Sequence, residues 1–278
     1  MSQGRSWLLA VPMWAVFTVF VAAPLLLIAF VSLHNDAGLT QAGLHAYAKF
    51  AGDAYNRGVL TDTLLLAAET VALTVLLGYP VAGLYMAWPK CRRVLMFLTI
   101  LPLLTSTVVR SFAWVVILGN QGLINRTLIS LGAIDAPVHL LYTPGAVAIA
   151  LAQIELPLMV LPLIAALSGI DASLMDASHA LGAGPWRSFR RITVPLSLPG
   201  LLTGTLLVFT GAASALITQT LVGGGRLMYM PFYIYEEAIQ AQDFPFAAAL
   251  AIILLISIVL IVTALNALGR RSRAFVRG

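Results

Sequence analysis

The run PFAAALAIILLISIVLIVTALNAL, residues 245–268, decides the fold class, because none of its twenty-four consecutive positions carries a charge. A bilayer core of ~30 Å needs about 20 apolar residues in a helix rising ~1.5 Å per residue, so this run is long enough to cross. It must do so as a helix, since lipid offers no hydrogen-bond partner to an open backbone. Comparable apolar runs occupy residues 7–33, 60–88, 94–118, 142–168 and 199–221. Six spans are therefore expected, some with tilt or a short interfacial extension. The first follows Arg5 and exceeds the ~7–15 apolar residues of a signal-peptide core, so it reads as a retained helix.

The rest of the chain agrees with that reading. Its 278 residues are 60% hydrophobic and 10% charged, against about 45–50% and about 25% in a soluble domain, and the mean hydropathy is +0.95. Residues 1–278 are exhausted by one all-α membrane domain, with no room for a soluble catalytic one. Cys91 is the single cysteine, which excludes an intrachain disulfide and a cysteine-based metal site. The net charge of +5 does not imply nucleic acid, because the basic residues sit at the ends of apolar runs rather than among aromatics on one surface.

Those basic residues set the expected orientation. With the N-terminus inside, Arg5, Lys90, Arg92, Arg93, Arg187, Arg190, Arg191, Arg270, Arg271, Arg273 and Arg277 face the cytoplasm, while Lys49, Arg57, Arg126 and Arg226 face out. Both termini are thus expected to be cytoplasmic. An enzyme is not expected: well inside the bilayer the chain offers only Glu69, Arg110 and Glu155, and His34, His45, His139 and His179 fall in loops or at their edges. No nucleophile–base pair or metal cluster can be assembled from that set.

The inside loop at residues 169–198 has a helical pattern of its own. Asp171 is a good N-cap, and Leu174, Ala177, Ser178 and Leu181 recur at the spacing of one helical face before Gly182 supplies a stop. Gly184-Pro185 then restarts the chain with proline at a first helical position, and Trp186, Phe189 and Ile192 follow on a face opposite part of the Arg187, Arg190, Arg191 cluster. Two short helices broken by a glycine turn form an elbow on the cytoplasmic face. Interfacial anchoring and partner docking both fit such an amphipathic element.

The stretch Asp176-Ala177-Ser178-His179-Ala180-Leu181-Gly182, with Ile192-Thr193-Val194-Pro195 ten residues on, resembles the cytoplasmic signature of type I ABC importer permeases. In that signature an acidic and two small residues precede a glycine and a later Ile-x-Leu-Pro; here Asp176 stands for glutamate, Ser178 for the second alanine and Val194 for leucine. Residues 101–106, 109–114, 118–125, 156–163, 195–200, 221–225 and 244–250 are similar to the first permease of spermidine/putrescine importers. The resemblance implies a multi-pass protein of the bacterial inner membrane that forms half of a translocation pathway with a second homologous permease. It also implies two ATPase subunits carrying ATP and Mg, and an extracytoplasmic substrate-binding protein. Leu174, Asp176, Ala177, Ser178, Leu181, Gly182, Pro185, Ile192 and Pro195 would couple to the ATPase. No cofactor is expected in this chain, which lacks the G-x-x-x-x-G-K-[ST] of a nucleotide loop. The implied solute is a polyamine, with amino-acid derivatives, phosphonates and metal complexes as alternatives; a membrane scaffold would have no reason to carry these motifs.

Inside the bilayer, Arg110 and Glu155 each need a partner or water. Their spans run antiparallel and their heights match, so they are expected either to pair as an internal salt bridge or to form a wall of the translocation pathway. Trp114, one turn beyond Arg110, shares its face. Tyr142, Tyr229, Tyr233 and Tyr235 read more simply as interfacial aromatics. Pro24, Pro80, Pro102, Pro157 and Pro162 make kinks in the spans expected.

Overall fold

The computed structural model describes residues 16, 18–36, 38 and 40–276, with the backbone alone at 172, 179, 268 and 270–276. The regular secondary structure of the described residues is helical, apart from one antiparallel bridge between His34 and Ala42. Its α-helices are α1 (Ala23–Ser32), α2 (His45–Gly52), α3 (Ala54–Ala87), α4 (Arg92–Ile100), α5 (Thr107–Leu118), α6 (Leu123–Ser130) and α7 (Pro144–Ser168). They continue as α8 (Ala172–Ala180), α9 (Pro185–Ser188), α10 (Val194–Ala213), α11 (Leu216–Gly223), α12 (Met230–Tyr235) and α13 (Phe244–Val276).

Among the described residues, five apolar helical stretches are long enough to cross a membrane: Ala54–Ala87, Thr107–Ser130, Pro144–Ser168, Pro185–Ala213 and Phe244–Ala267. A shorter apolar helix covers Thr18–Ser32, the described part of the first expected span. The remainder of that span, with Arg5, lies outside the described residues, as do Arg277 and the side chains of Arg270, Arg271 and Arg273. The protein is an all-α, multi-span membrane protein.

Two expectations about the spans are corrected. The run 94–118 is not one helix: α4 tightens into a 3-10 turn at Leu101–Leu104, Thr105 is extended, and α5 starts at Thr107. Pro102 lacks an N–H and cannot continue the α-helical ladder, and the Pro102 carbonyl accepts from Thr105 N at 3.3 Å and from Thr105 Oγ1 at 2.9 Å. The run 199–221 is also displaced. Its helix begins far upstream, at Pro185, passes through a π-helical turn at Phe189–Thr193 into α10, and ends at Ala213 before Ser214 and Ala215 break it from α11. The second arm of the elbow is thus the start of this span.

The chain forms two compact units, one of Met1–Leu60 with Met230–Ser257 and one of Thr61–Tyr229 with Ile258–Gly278. In the second unit α7 is central. Thr143 caps its N-terminus by accepting from Ala146 N at 3.2 Å, and Pro144 occupies the first turn, where its missing donor does no harm. Met159, Val160, Leu163, Ile164 and Leu167 of α7 pack with Ala82 of α3 and Val208 of α10 in the hydrophobic core. α7 and α10 meet through glycine. A Cβ on Gly200 would lie 2.4 Å from the Pro162 carbonyl oxygen, and one on Gly204 would lie 2.7 Å from Met159 Sδ.

In the first unit, Tyr47 and Ser32 share a hydrogen bond of 2.8 Å, which ties α2 to the end of α1. Asn56, at the start of α3, is buried; it donates to the Lys49 carbonyl at 3.3 Å and accepts from Tyr233 Oη at 2.8 Å.

Candidate functional site: a glycine-turn elbow and an intramembrane polar group

The elbow follows the local chemistry of its residues. Asp171 Oδ1 accepts from Ser173 N at 2.9 Å, and that hydrogen bond holds the carboxyl below the usual carboxylate range. α8 then ends in a Schellman-type cap: Gly182 takes φ +76°, and Ala183 N donates to the Ser178 carbonyl at 3.0 Å. Gly184 is extended and Pro185 opens α9. Ser178 and Ser188 are both buried and share a hydrogen bond of 2.6 Å, which fixes the two arms against each other.

The expected face of α8 is only partly used within the chain. Ser178 is buried, yet Ala177 and Asp176 are exposed, Leu174 is 45% exposed and Leu181 is 88% exposed. On the second arm Trp186 is 73% exposed and stacks on Phe189 at 5.7 Å, which in turn meets Tyr79 edge-on. Tyr79 Oη hydrogen-bonds Ser197 Oγ and so anchors the elbow to α3. Ile192 and Pro195 are half-buried in the helix that leads inward. The structure thus groups Leu174, Leu181 and Trp186 as exposed apolar side chains beside one glycine turn, on a frame held by buried serines.

The intramembrane group is arranged differently from the expected ion pair. Among the described residues the ion pair within 4.0 Å is Lys49–Asp243, and Arg110 does not contact Glu155 in this way. Arg110 instead donates from Nη1 to the Ile154 carbonyl at 3.3 Å and from Nη2 to Thr107 Oγ1 at 3.4 Å. Pro157 lacks the N–H that would bond the Gln153 carbonyl four residues earlier, which leaves an opening in the α7 ladder next to Ile154. Arg110 meets α7 beside that opening. Its Nε and Gln219 Oε1 are buried without a hydrogen-bond partner among the described residues.

Glu155 is 9% exposed and lies against α10, where Gly211 makes room: a Cβ there would sit 2.6 Å from Glu155 Oε2. Trp114 does share the Arg110 side of α5, and its Nε1 donates to Gln153 Oε1 at 3.2 Å. Ser111 and Thr218 link α5 to α11 at 3.0 Å. Gln153 and Gly211 were missed from sequence. Gly211 falls on a common spacing with Gly200 and Gly204, a small-residue signal for close helix approach, whereas Gln153 carries no signal that separates it from an ordinary polar residue. Glu69 is exposed, Tyr233 is bound to Asn56, and Tyr142, at φ +64°, packs under Gly224 with the Arg226 guanidinium 5.1 Å above its ring. No cluster of metal-ligating side chains occurs among the described residues.

Comparison with known proteins gives this geometry a setting. The family described as binding-protein-dependent transport system inner membrane component matches residues 74–274. The spermidine/putrescine transport system permease protein PotB of Salmonella typhimurium strain SL1344 is 33% identical over 246 residues, covering 87% of this chain and 85% of that protein. A putative 2-aminoethylphosphonate transport system permease protein, PhnU of Salmonella typhimurium strain LT2, is 30% identical over 253 residues, covering 89% and 86%. A crystal structure of a bacterial ABC transporter involved in the import of the acidic polysaccharide alginate superposes with a TM-score of 0.76 at 20% identity, over 96% of each chain, which shows a shared fold.

Proposed function

This chain belongs to the family of binding-protein-dependent transport system inner membrane components, a transport family without a catalytic role of its own, and on that premise we propose that it is the polyamine-conducting permease of an ATP-driven importer. It is an ABC importer permease subunit that works with an ATPase; the polyamine solute is the proposed refinement. The observation that carries the refinement is the 33% identity with a spermidine/putrescine permease across most of both chains. In this reading the chain forms half of the translocation pathway beside a second homologous permease. An extracytoplasmic binding protein delivers the solute, and two ATPase subunits with ATP and Mg act beneath.

The proposed topology has six spans and both termini in the cytoplasm, with residues 1–278 as one permease domain and residues 169–198 as its coupling loop. Leu174, Asp176, Ala177, Ser178, Leu181, Gly182, Pro185, Ile192 and Pro195 are the proposed coupling residues. The exposed Leu181 and Trp186 support this assignment, because large apolar side chains beside a rigid turn gain from a partner that covers them. Arg110, Trp114 and Glu155 are the proposed pathway residues. Their support is the cost of keeping polar and charged groups in a bilayer without a use or a partner.

A second reading, import of an aminophosphonate, is favoured by the 30% identity with the PhnU protein. Uptake by the reconstituted complex, containing both permeases, the ATPase and the binding protein, separates the two. Saturable, ATP-dependent uptake of labelled putrescine and spermidine is expected. Uptake of 2-aminoethylphosphonate with none of putrescine would replace the first reading by the second.

A further inference from the structure

In the first unit a primary ammonium is already held in a small receptor made by the protein itself. Lys49 Nζ lies 3.7 Å from the centroid of the Phe246 ring and 3.4 Å from Asp243 Oδ2. A ring face and a carboxylate meeting at one point is the arrangement that binds alkylammonium ions. The receptor is built by helix geometry. Asp243 caps α13, its Oδ1 accepting from Phe246 N at 3.1 Å, which leaves Oδ2 for the cation and brings the Phe246 ring to the same place. Tyr233 packs edge-on against Phe246 at 6.1 Å, so the ring is fixed from another side.

The ammonium held there is loosely held. The Lys49 and Asp243 side chains are 44% and 40% exposed, and an ion pair so exposed is weak and screened by salt. Its surroundings favour cations: residues 34–60 and 230–257 carry the carboxylates Asp36, Asp53, Glu236, Glu237 and Asp243 against Lys49 and Arg57 alone. No other described residue of this unit combines a ring face and a carboxylate around one cation.

We propose that Asp243 and Phe246 form a receptor for a primary alkylammonium at the extracytoplasmic mouth, and that Lys49 occupies it as an internal competitor until a solute ammonium takes its place. The location rests on the proposed topology, and the ligand class deepens the polyamine reading. A solute with two primary ammonium groups can exchange one of them into this receptor while the other is still held elsewhere. Lys49 then swings into water, where its charge is solvated at little cost.

The test uses the detergent-purified complex of both permeases and the ATPase, without the binding protein. Calorimetric titration with n-butylammonium reads the receptor, and 1,4-butanediol serves as an uncharged control. Lys49→Gln, at a half-exposed site, should raise butylammonium affinity about fivefold, the range of one exposed cation contact, and leave the diol unchanged. Asp243→Asn keeps a side chain able to cap α13 and should abolish that gain when combined with Lys49→Gln. An unchanged butylammonium affinity in Lys49→Gln, or a gain that survives Asp243→Asn, would overturn the proposal. The outcome is separate from solute identity: a complex that imports putrescine but shows no Lys49 effect refutes the receptor alone, and one that binds butylammonium as described but imports no polyamine refutes the solute alone.

Discussion

Helices α7 and α8 follow one another in the chain, separated by Gly169 to Asp171, and their apolar side chains meet different fates. Fourteen of the 25 residues of α7 are buried, among them Val147, Leu151, Met159, Val160 and Leu163 at or near zero exposure. α8 and the turn that follows it leave Leu174 and Leu181 in the open, and of the patterned face Ser178 is buried. Both patterns are amphipathic or apolar by sequence, yet one is satisfied inside this chain and the other is not. The lesson is that apolar periodicity states that a face will be covered and leaves open by whom. α7 is a structural axis of this chain; α8 is a surface that this chain leaves open.

The sharpest way to break this contrast is to place a side chain at one glycine on each side of it. Gly200→Ala places a Cβ 2.4 Å from the Pro162 carbonyl oxygen and 2.6 Å from Ala166 Cβ. The nearest atom is backbone in a packed helix and cannot rotate away, so α7 and α10 must separate. A loss of about 1–3 kcal/mol is expected, as for other overpacked cores, read as a fall in the thermal midpoint of the purified complex and in membrane yield. A wild-type midpoint would show that α7 is not the rigid axis described.

Gly182→Val should have a smaller effect on stability and a larger relative effect on coupling. Nothing lies within 4 Å of a Cβ at Gly182, so no packing is disturbed there. The strain comes from the backbone alone: φ is +76°, a region that a β-branched residue avoids at a cost of about 1–3 kcal/mol. That strain is confined to the elbow and should leave the spans inserted. The expected result is normal membrane yield, with loss of ATPase co-purification and of ligand-stimulated ATP hydrolysis. Wild-type assembly and stimulation would remove the elbow from the coupling role.

The same contrast explains what could be read without coordinates. Gly182 and Pro185 were legible because each has a backbone property, positive φ or a missing donor, that few other residues share. The break at Leu101–Leu104 was harder, since hydropathy is continuous through residues 94–118 and only Pro102 hints at it. The helical continuation from Pro185 through Thr193 into α10 was hidden by Arg187, Arg190 and Arg191, which read as loop charges although they lie on exposed or half-exposed helical positions. Arg110 reads from sequence as needing a partner, but its hydrogen bond to the Ile154 carbonyl rather than to Glu155 depends on how α5 meets α7. No one-dimensional spacing carries a crossing. Gly211 illustrates the same limit, because its importance comes from the carboxylate 155 opposite it.

The smallest expected effect, and the finest probe of α8, is Asp176→Ala. Asp176 lies beyond the first turn of α8, and no acidic residue occupies that turn, so its charge gains little from the helix dipole. Its side chain is exposed. Alanine is also the better helix former. Stability should therefore stay within about 0.5 kcal/mol of wild type, which frees the variant from the folding ambiguity that attends Gly200→Ala. Any change in ATPase affinity then reports on a partner cation facing the carboxylate. An exposed pair of this kind contributes roughly 0.2–1 kcal/mol, so the ATPase dissociation constant should rise by no more than about fivefold. Salt supplies the decisive control: raising ionic strength screens an exposed pair, so the gap between Asp176→Ala and wild type should close at high salt. A gap that persists at high salt would mean that Asp176 acts by shape rather than charge. An Asp176→Ala complex identical to wild type at low salt would leave Leu174, Leu181 and Trp186 as the contact and make the elbow a purely apolar joint.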